Sequence, residues 1–382
     1  MRFLLISIAL LLGACAQQSV VKTPTAGPTF YPALPESPRI QFLTSISGER
    51  DLKGKGSSFE QFVLGEEANT QQLKQPYGVA MHEGKLYVAD SRAPGLAVFD
   101  LTQQTYTLLN GSGGARMRRP INVRIDVDGT KYVTDTGLNL ILMFDRNDQF
   151  VRSFGESGQF KPVDVAISGD RLYVADIEHH QIQVLDKRSG RLLFKFGKPG
   201  SELGELFHPT NLAIAANGDL LVVETSNFRV QRFTSEGKSL RAYGAIGTSP
   251  GSFARPKGIA LDAKGRMLVA DAAFENVQLF DPDGRLLLFF GEPDGKGGGL
   301  NLPAGLAIDY NNIAYFQRYA DPKFQIQYLI LTTSQFGPNR IDVFAFGQMQ
   351  GMSYPSDPAP AAKAAVAPVN SSLAPAPARL SS

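Results

Sequence analysis

Three oxygen-bearing side chains, Asn122, Asp164 and Asn211, stand where the same phrase elsewhere in the chain carries Gly78, Gly258 and Gly305. Carboxylate and amide oxygens that converge on one point are the donors a calcium ion takes. The same groups also serve as a hydrogen-bonded plug around channel water. Arg124 stands where sister phrases have alanine, so a cation sits among these oxygens. It competes with a metal and has Asp164 as a natural partner. A second set of acids, Asp90, Asp135, Asp176, Glu224 and Asp271, recurs at one repeat position. Five copies at one position point to service of the repeat itself, each accepting backbone N–H groups of the turn that follows. His179 and His180 are adjacent, and in an extended turn they point to opposite sides, which disfavours joint chelation. The single cysteine, Cys15, leaves no disulfide, no thiolate zinc cluster and no Cys-x-x-Cys-His site for covalent haem.

These residues are positioned by a repeat. Prolines at 76, 120, 162, 209, 256 and 303 are spaced by 44, 42, 47, 47 and 47 residues. Most open the same phrase, as in Pro76-Tyr-Gly-Val-Ala80 and Pro256-Lys-Gly-Ile-Ala260; Pro120-Ile-Asn-Val-Arg124 is the variant. Next comes a turn such as Asn217-Gly218, then an apolar run ending in an acid, such as Leu86-Tyr-Val-Ala-Asp90. A third run resembles Ile182-Gln-Val-Leu-Asp186, and a fourth ends in Phe-Gly or Tyr-Gly, as at Phe196-Gly197. Four short β-runs per period make one propeller blade, which buries its faces only by stacking on neighbours. The expected fold is therefore all-β, a six-bladed β-propeller over residues 39–348. Blade six lacks an outer strand, and Arg39-Ile-Gln-Phe-Leu-Thr-Ser-Ile46 is expected to supply it and close the ring. Its second run is expected at Ile313–Phe316. Residues 318–338 then read as an insertion, with Arg318 at the position of the repeated acid and 325–331 as an added strand or rim segment.

The phrases Glu224-Thr-Ser-Asn-Phe-Arg-Val-Gln231 and Asp176-Ile-Glu-His-His-Gln-Ile-Gln183 resemble the NHL repeat. The resemblance covers about residues 70–347 and implies six blades, with histidine in the turn after the acid needing no metal. The absence of tryptophan argues against WD40. The architecture also resembles six-bladed lactonases and phosphotriesterases, which implies calcium-dependent hydrolysis at Asn122, Asp164 and Asn211. Their further acid has no match here. The α-amidating lyase is another NHL enzyme, but no repeated histidine pattern supports that activity.

At the N-terminus, Met-Arg precedes an apolar run from Phe3 to Leu12 and the sequence Leu12-Gly-Ala-Cys15. This is a secretory signal pattern, too short for a permanent bilayer span. It resembles the lipobox of bacterial lipoproteins, which implies cleavage after residue 14 and lipidation of Cys15, a membrane anchor. Ala16, not Asp, follows the cysteine, which the enterobacterial sorting rule associates with the outer membrane; the leaflet face is left open. Residues 15–38, with Pro28, Pro32, Pro35 and Pro38, read as a flexible tether, and the Pro-, Ala- and Ser-rich segment 349–382 as a disordered tail.

The net charge of +2 gives no support to a nucleic-acid partner. Yet Arg118, Arg119, Lys161, His208 and Arg255 precede the strand-start prolines, and Lys257 follows one. They are expected to ring one face and attract an anionic partner, although scattered solvated charge gives the same pattern. Two functions follow. One is a membrane-anchored scaffold that binds a protein or glycan with loops on that face. The other is a calcium-dependent hydrolase or lyase at the channel mouth. Residues 38–48 and 334–344 also look like a bacterial NHL lipoprotein group associated with multihaem cytochromes, which implies an accessory role in an extracytoplasmic cytochrome system. No cofactor is required, and Ca2+ is the one candidate.

Overall fold

The computed structural model describes residues 27–52, 71–293 and 297–354. Six β-sheets stand in a ring. Blade one holds β3 (Pro76–His82), β4 (Lys85–Asp90), β5 (Leu96–Asp100) and β6 (Thr105–Leu109). Blade two holds β7 (Pro120–Ile125), β8 (Lys131–Asp135), β9 (Leu140–Phe144) and β10 (Phe150–Phe154). In blade three these are β11 (Pro162–Ser168), β12 (Arg171–Asp176), β13 (Gln181–Asp186) and β14 (Leu192–Phe196). Blade four contains β15 (Pro209–Ile214), β16 (Leu220–Glu224), β17 (Arg229–Phe233) and β18 (Ser239–Tyr243). Blade five contains β19 (Pro256–Leu261), β20 (Met267–Asp271), β21 (Asn276–Phe280) and β22 (Leu286–Phe290).

Blade six is assembled from both ends of the chain. It pairs β23 (Pro303–Asp309) with β24 (Phe324–Ser334), then β25 (Ile341–Met349), β2 (Ile40–Ile46) and the two-residue β1 (Phe30–Tyr31). The N-terminal strand thus closes the ring as expected, with Ile40 opposite Phe346 and Ile46 opposite Ile341.

All pairings between the named strands are antiparallel, and the first strands neighbour one another around the axis. The repeated proline begins each first strand opposite the acid that ends the second: Pro76 with Asp90, Pro120 with Asp135, Pro162 with Asp176. All first-strand starts and second-strand ends therefore lie on one face, and the short turns within strand pairs lie on the other. Between blades, alternate side chains such as Val174, Leu172, Ile141 and Tyr132 interlock in fully buried layers. Each such side chain contributes roughly 1.5–3 kcal/mol. Around the axis the strands are so close that a Cβ at Gly78 would run into Asn122, and one at Gly305 into the Tyr77 carbonyl. Glycine at that position is thus a packing requirement.

Three expectations are corrected. Ile313–Phe316 is one helical turn, not a strand. Asp309 accepts the N–H groups of Asn311 and Asn312, which turns the chain away from the sheet. The second strand of blade six is β24, so 325–331 belongs to the blade proper and the acid position is held by Ser334, opposite Pro303, not by Arg318. Over 27–38 the segment read as tether packs on the propeller. Phe30 is buried against Phe324, and Tyr31 lies 6.0 Å from Phe290, because two aromatic side chains gain more by burial than a free tether allows. Beyond β25 the chain stays docked to Tyr354, whose hydroxyl bonds to the Pro38 carbonyl. Residues 1–26 and 355–382, with the signal segment, Cys15 and most of the tail, lie outside the described residues.

Candidate functional site

The repeated acids are buried and act on backbone. Asp135 accepts N–H groups from Arg118, Arg119, Gly137 and Leu138, at 2.7–3.1 Å. Asp271 does the same for Ala254, Arg255, Ala273 and Phe274. Asp90 takes Lys74, Gln75 and Arg92. Asp176 takes Lys161 and His179. Glu224 takes Phe207 and adds the Arg229 guanidinium at 2.7 Å. Each acid clamps the loop entering its blade as well as the turn after it, and only the turn was anticipated from sequence.

The clamp has a consequence for charge. It holds the main chain just before each strand-start proline, so the side chains there project outward. Arg119, Lys161 and Arg255 are exposed, and no described carboxylate pairs with them. Arg118 joins them, as do Arg116, Lys74 and Arg92, which sequence reasoning missed. The signal was available: Lys74 stands two residues before Pro76 as Arg118 stands before Pro120, and Arg92 lies in the turn after Asp90. The remaining two expected residues are engaged. Lys257 is half-buried, with Nζ 5.1 Å from the centre of the Tyr77 ring and 3.4 Å from its hydroxyl. His208 pairs with the Ser226 hydroxyl at 2.8 Å and packs against His180 and Phe207.

His179 and His180 take separate partners, in a turn that is not extended, since His180 has φ +53°. The His179 Nδ1 lies 2.7 Å from the Asp176 carboxylate. The His180 Nδ1 accepts the His208 N–H at 3.0 Å, so its neutral ring carries its proton on Nε2 and offers no lone pair there for a metal. Burial, then the neighbouring His208, lowers the His180 pKa.

At the axis, Asn122, Asp164, Asn211 and Arg124 do not form a common ligand set. Arg124 of blade two grips Asp164 of blade three through Nε at 3.1 Å and a terminal nitrogen at 2.7 Å. That nitrogen also donates to the Leu212 carbonyl of blade four, and the Leu212 N–H donates back to Asp164. Burial opposes the Arg124 charge, but Asp164 outweighs it and raises the guanidinium pKa. With the Val165 N–H, Asp164 accepts four hydrogen bonds, while Asn122 Oδ1 accepts the Val123 N–H. Of these four residues, Asn211 is the one with a buried side-chain atom, Oδ1, that lacks a described partner. These residues do not fit a calcium ion: the carboxylate is saturated, and a guanidinium occupies the place of the metal. The group is a brace that ties three blades.

Among the described residues, no helix is long and apolar enough to cross a membrane.

The NHL repeat family matches residues 161–185, which span β11 to β13 of blade three. Over 96 residues the chain is 36% identical to protein brain tumor of Drosophila melanogaster, covering 23% of this chain and 9% of that protein. Over 102 residues it is 26% identical to a probable peptidyl-alpha-hydroxyglycine alpha-amidating lyase of Caenorhabditis elegans, covering 25% of this chain and 29% of that one. The matches thus span less than a third of either relative. A streptogramin B lyase structure superposes with a TM-score of 0.52 at 14% identity, over 74% of this chain and 84% of that chain, a likeness of fold alone. The chain therefore carries an NHL repeat on a six-bladed β-propeller.

Proposed function

We propose that this propeller is a binding scaffold that takes an anionic protein or glycan on its strand-start face and is held at an extracytoplasmic membrane through lipidated Cys15. The observation that carries the reading is the set of exposed, unmatched cations at Arg118, Arg119, Lys161 and Arg255, fixed in place by backbone clamps. Cations on a rigid frame attract an anionic surface and keep that attraction without reorganising. The saturated Asp164 removes the main support for a calcium-dependent hydrolase or lyase at the axis.

The test is cross-linking of the lipidated protein in its native membrane, followed by mass spectrometry of what co-purifies. A stoichiometric partner should be captured by the wild type. It should be lost from a triple Arg119→Glu, Lys161→Glu, Arg255→Glu variant and retained by charge reversal at Arg146 and Arg171 on the other face. Equal loss from both variants would remove this face from the function. A lipid analysis that finds unmodified Cys15 would remove the anchor.

A further inference from the structure

Blade six reverses a polar pair that blades three to five share. There, a glutamine on the third strand lies opposite the residue two before the acid: Gln183 with Val174, Gln231 with Val222, Gln278 with Val269. Its amide donates to a carbonyl of the loop entering the blade: Gln159, Glu205 or Ser252, at 2.6–2.9 Å. Gln183 and Gln231 also donate to the acid itself. In blade six the same register places Ser334 at the acid position and Asp342, opposite Thr332, at the glutamine position. An acceptor thus replaces a donor.

The exchange is compensated only in part, by the hydroxyls of Ser45 and Ser334. Asp342 is fully buried, and its Oδ1 accepts the Ser45 hydroxyl at 2.5 Å. Its Oδ2 has no partner, and neither has the equally buried Thr332 Oγ1. Ser45, Asp342 and Thr332 are paired across three adjacent strands, so they share one side of the sheet, and Ser334 follows two residues after Thr332 on that side. This side faces blade five, whose Val277 and Leu279 pack against the neighbouring Ile330 and Phe344. The Asn301 N–H already donates to the Ser334 hydroxyl. Burial raises the Asp342 carboxyl to about 7, opposed only by the hydroxyls of Ser45 and Ser334.

We propose that Asp342, Thr332, Ser45 and Ser334 bind a small monovalent cation, sodium, inside the seam where the N-terminal strand closes the ring. The donors are all oxygens, and hydroxyls offer lone pairs while their protons point elsewhere. One carboxylate balances one positive charge, whereas Ca2+ would bring an uncompensated charge against an apolar wall. The ion supplies what the glutamine amide supplies in the sister blades. The site stands on its own observations and does not depend on the partner-binding face.

The experiment is thermal unfolding of the full chain at constant ionic strength in sodium chloride against choline chloride, one pH unit above the Asp342 midpoint. Sodium should raise the Tm by about 2–4 °C. One unit below the midpoint the proton competes and the gain should shrink. The double variant Ser334→Asp, Asp342→Gln restores the pair of the other blades and should lose the sodium response. Asp342→Asn, which removes the charge alone, gives the same readout should the double variant not fold. A thallium soak of crystals should place an anomalous peak between Asp342 and Thr332. Equal Tm in sodium and choline, a response to calcium alone, or a sodium response that survives both variants would overturn the proposal.

Discussion

The two faces of the ring differ in how they use their acids. On the turn face several carboxylates neutralise side chains, while Asp100, Asp145 and Asp186 accept backbone N–H groups of the turns. Asp148 of blade two takes Lys131 at 2.7 Å and Lys85 of blade one at 3.0 Å, Asp126 takes Lys187 of blade three at 2.7 Å, and Asp219, Asp262 and Asp281 each hold an arginine. On the strand-start face Asp90, Asp135 and Asp271 lie inside and spend their oxygens on backbone N–H groups, so Arg118, Arg119 and Arg255 above them go unmatched, while Glu224 also holds Arg229. A net charge of +2 conceals this division. Total charge says little about a face whose acids are committed to backbone.

The contrast can be broken at four points, in falling order of effect. Asp164, near the axis, holds a side chain as Glu224 does. Asp164→Ala strands the half-buried Arg124 beside a fully buried site and should cost about 3 kcal/mol in chemical denaturation, while an Arg124→Met, Asp164→Leu pair should recover part of that loss. Asp135→Ala leaves four N–H groups without their acceptor and should cost about 3 kcal/mol, with Asp135→Asn milder.

On the turn face, Asp148→Asn removes the partner of the buried Lys131 and should cost about 2–3 kcal/mol near neutral pH. Burial pulls the Asp148 pKa up, but hydrogen bonds from Lys131, Lys85 and Tyr87, with the Lys131 charge, outweigh it and leave a net lowering. Its stabilisation is therefore complete above the unfolded-state pKa and lost as pH falls through the lower folded value. Acid melts of wild type and variant should converge in that window. Smallest of all, the triple reversal at Arg119, Lys161 and Arg255 should change stability by less than about 0.5 kcal/mol per residue while removing salt-sensitive partner binding. A large loss of stability there would mean that these side chains have structural partners after all.

Much of the frame was legible. The recurring proline fixed the strand starts, the phrase lengths fixed the blade count, and Ile40–Ile46 matched the strand that blade six lacked. Blade six itself was misread because 14 residues separate β23 from β24, where the sister blades use short turns, so a search at the expected spacing landed on Ile313–Phe316. The exchange of Asp342 and Ser334 was invisible for the same reason, since it exists only once the β24–β25 register is known. Arg124 and Asp164 were recognisable as a pair, but not their joint hold on Leu212, because a backbone partner leaves no trace in residue type.

The meeting of the first and last described segments in blade six has one more consequence. Ser37 donates to the Ser353 carbonyl, and Arg39 lies 4.4 Å over the Tyr354 ring. The ring therefore has no mechanically privileged origin. Joining residues 37 and 353 through a short linker and reopening the chain in the turn between β13 and β14 would yield a circular permutant that loses only the two-residue edge strand β1 and keeps the other strands of all six sheets. In that permutant the seam would lie in blade three, and blade six would be covalently continuous.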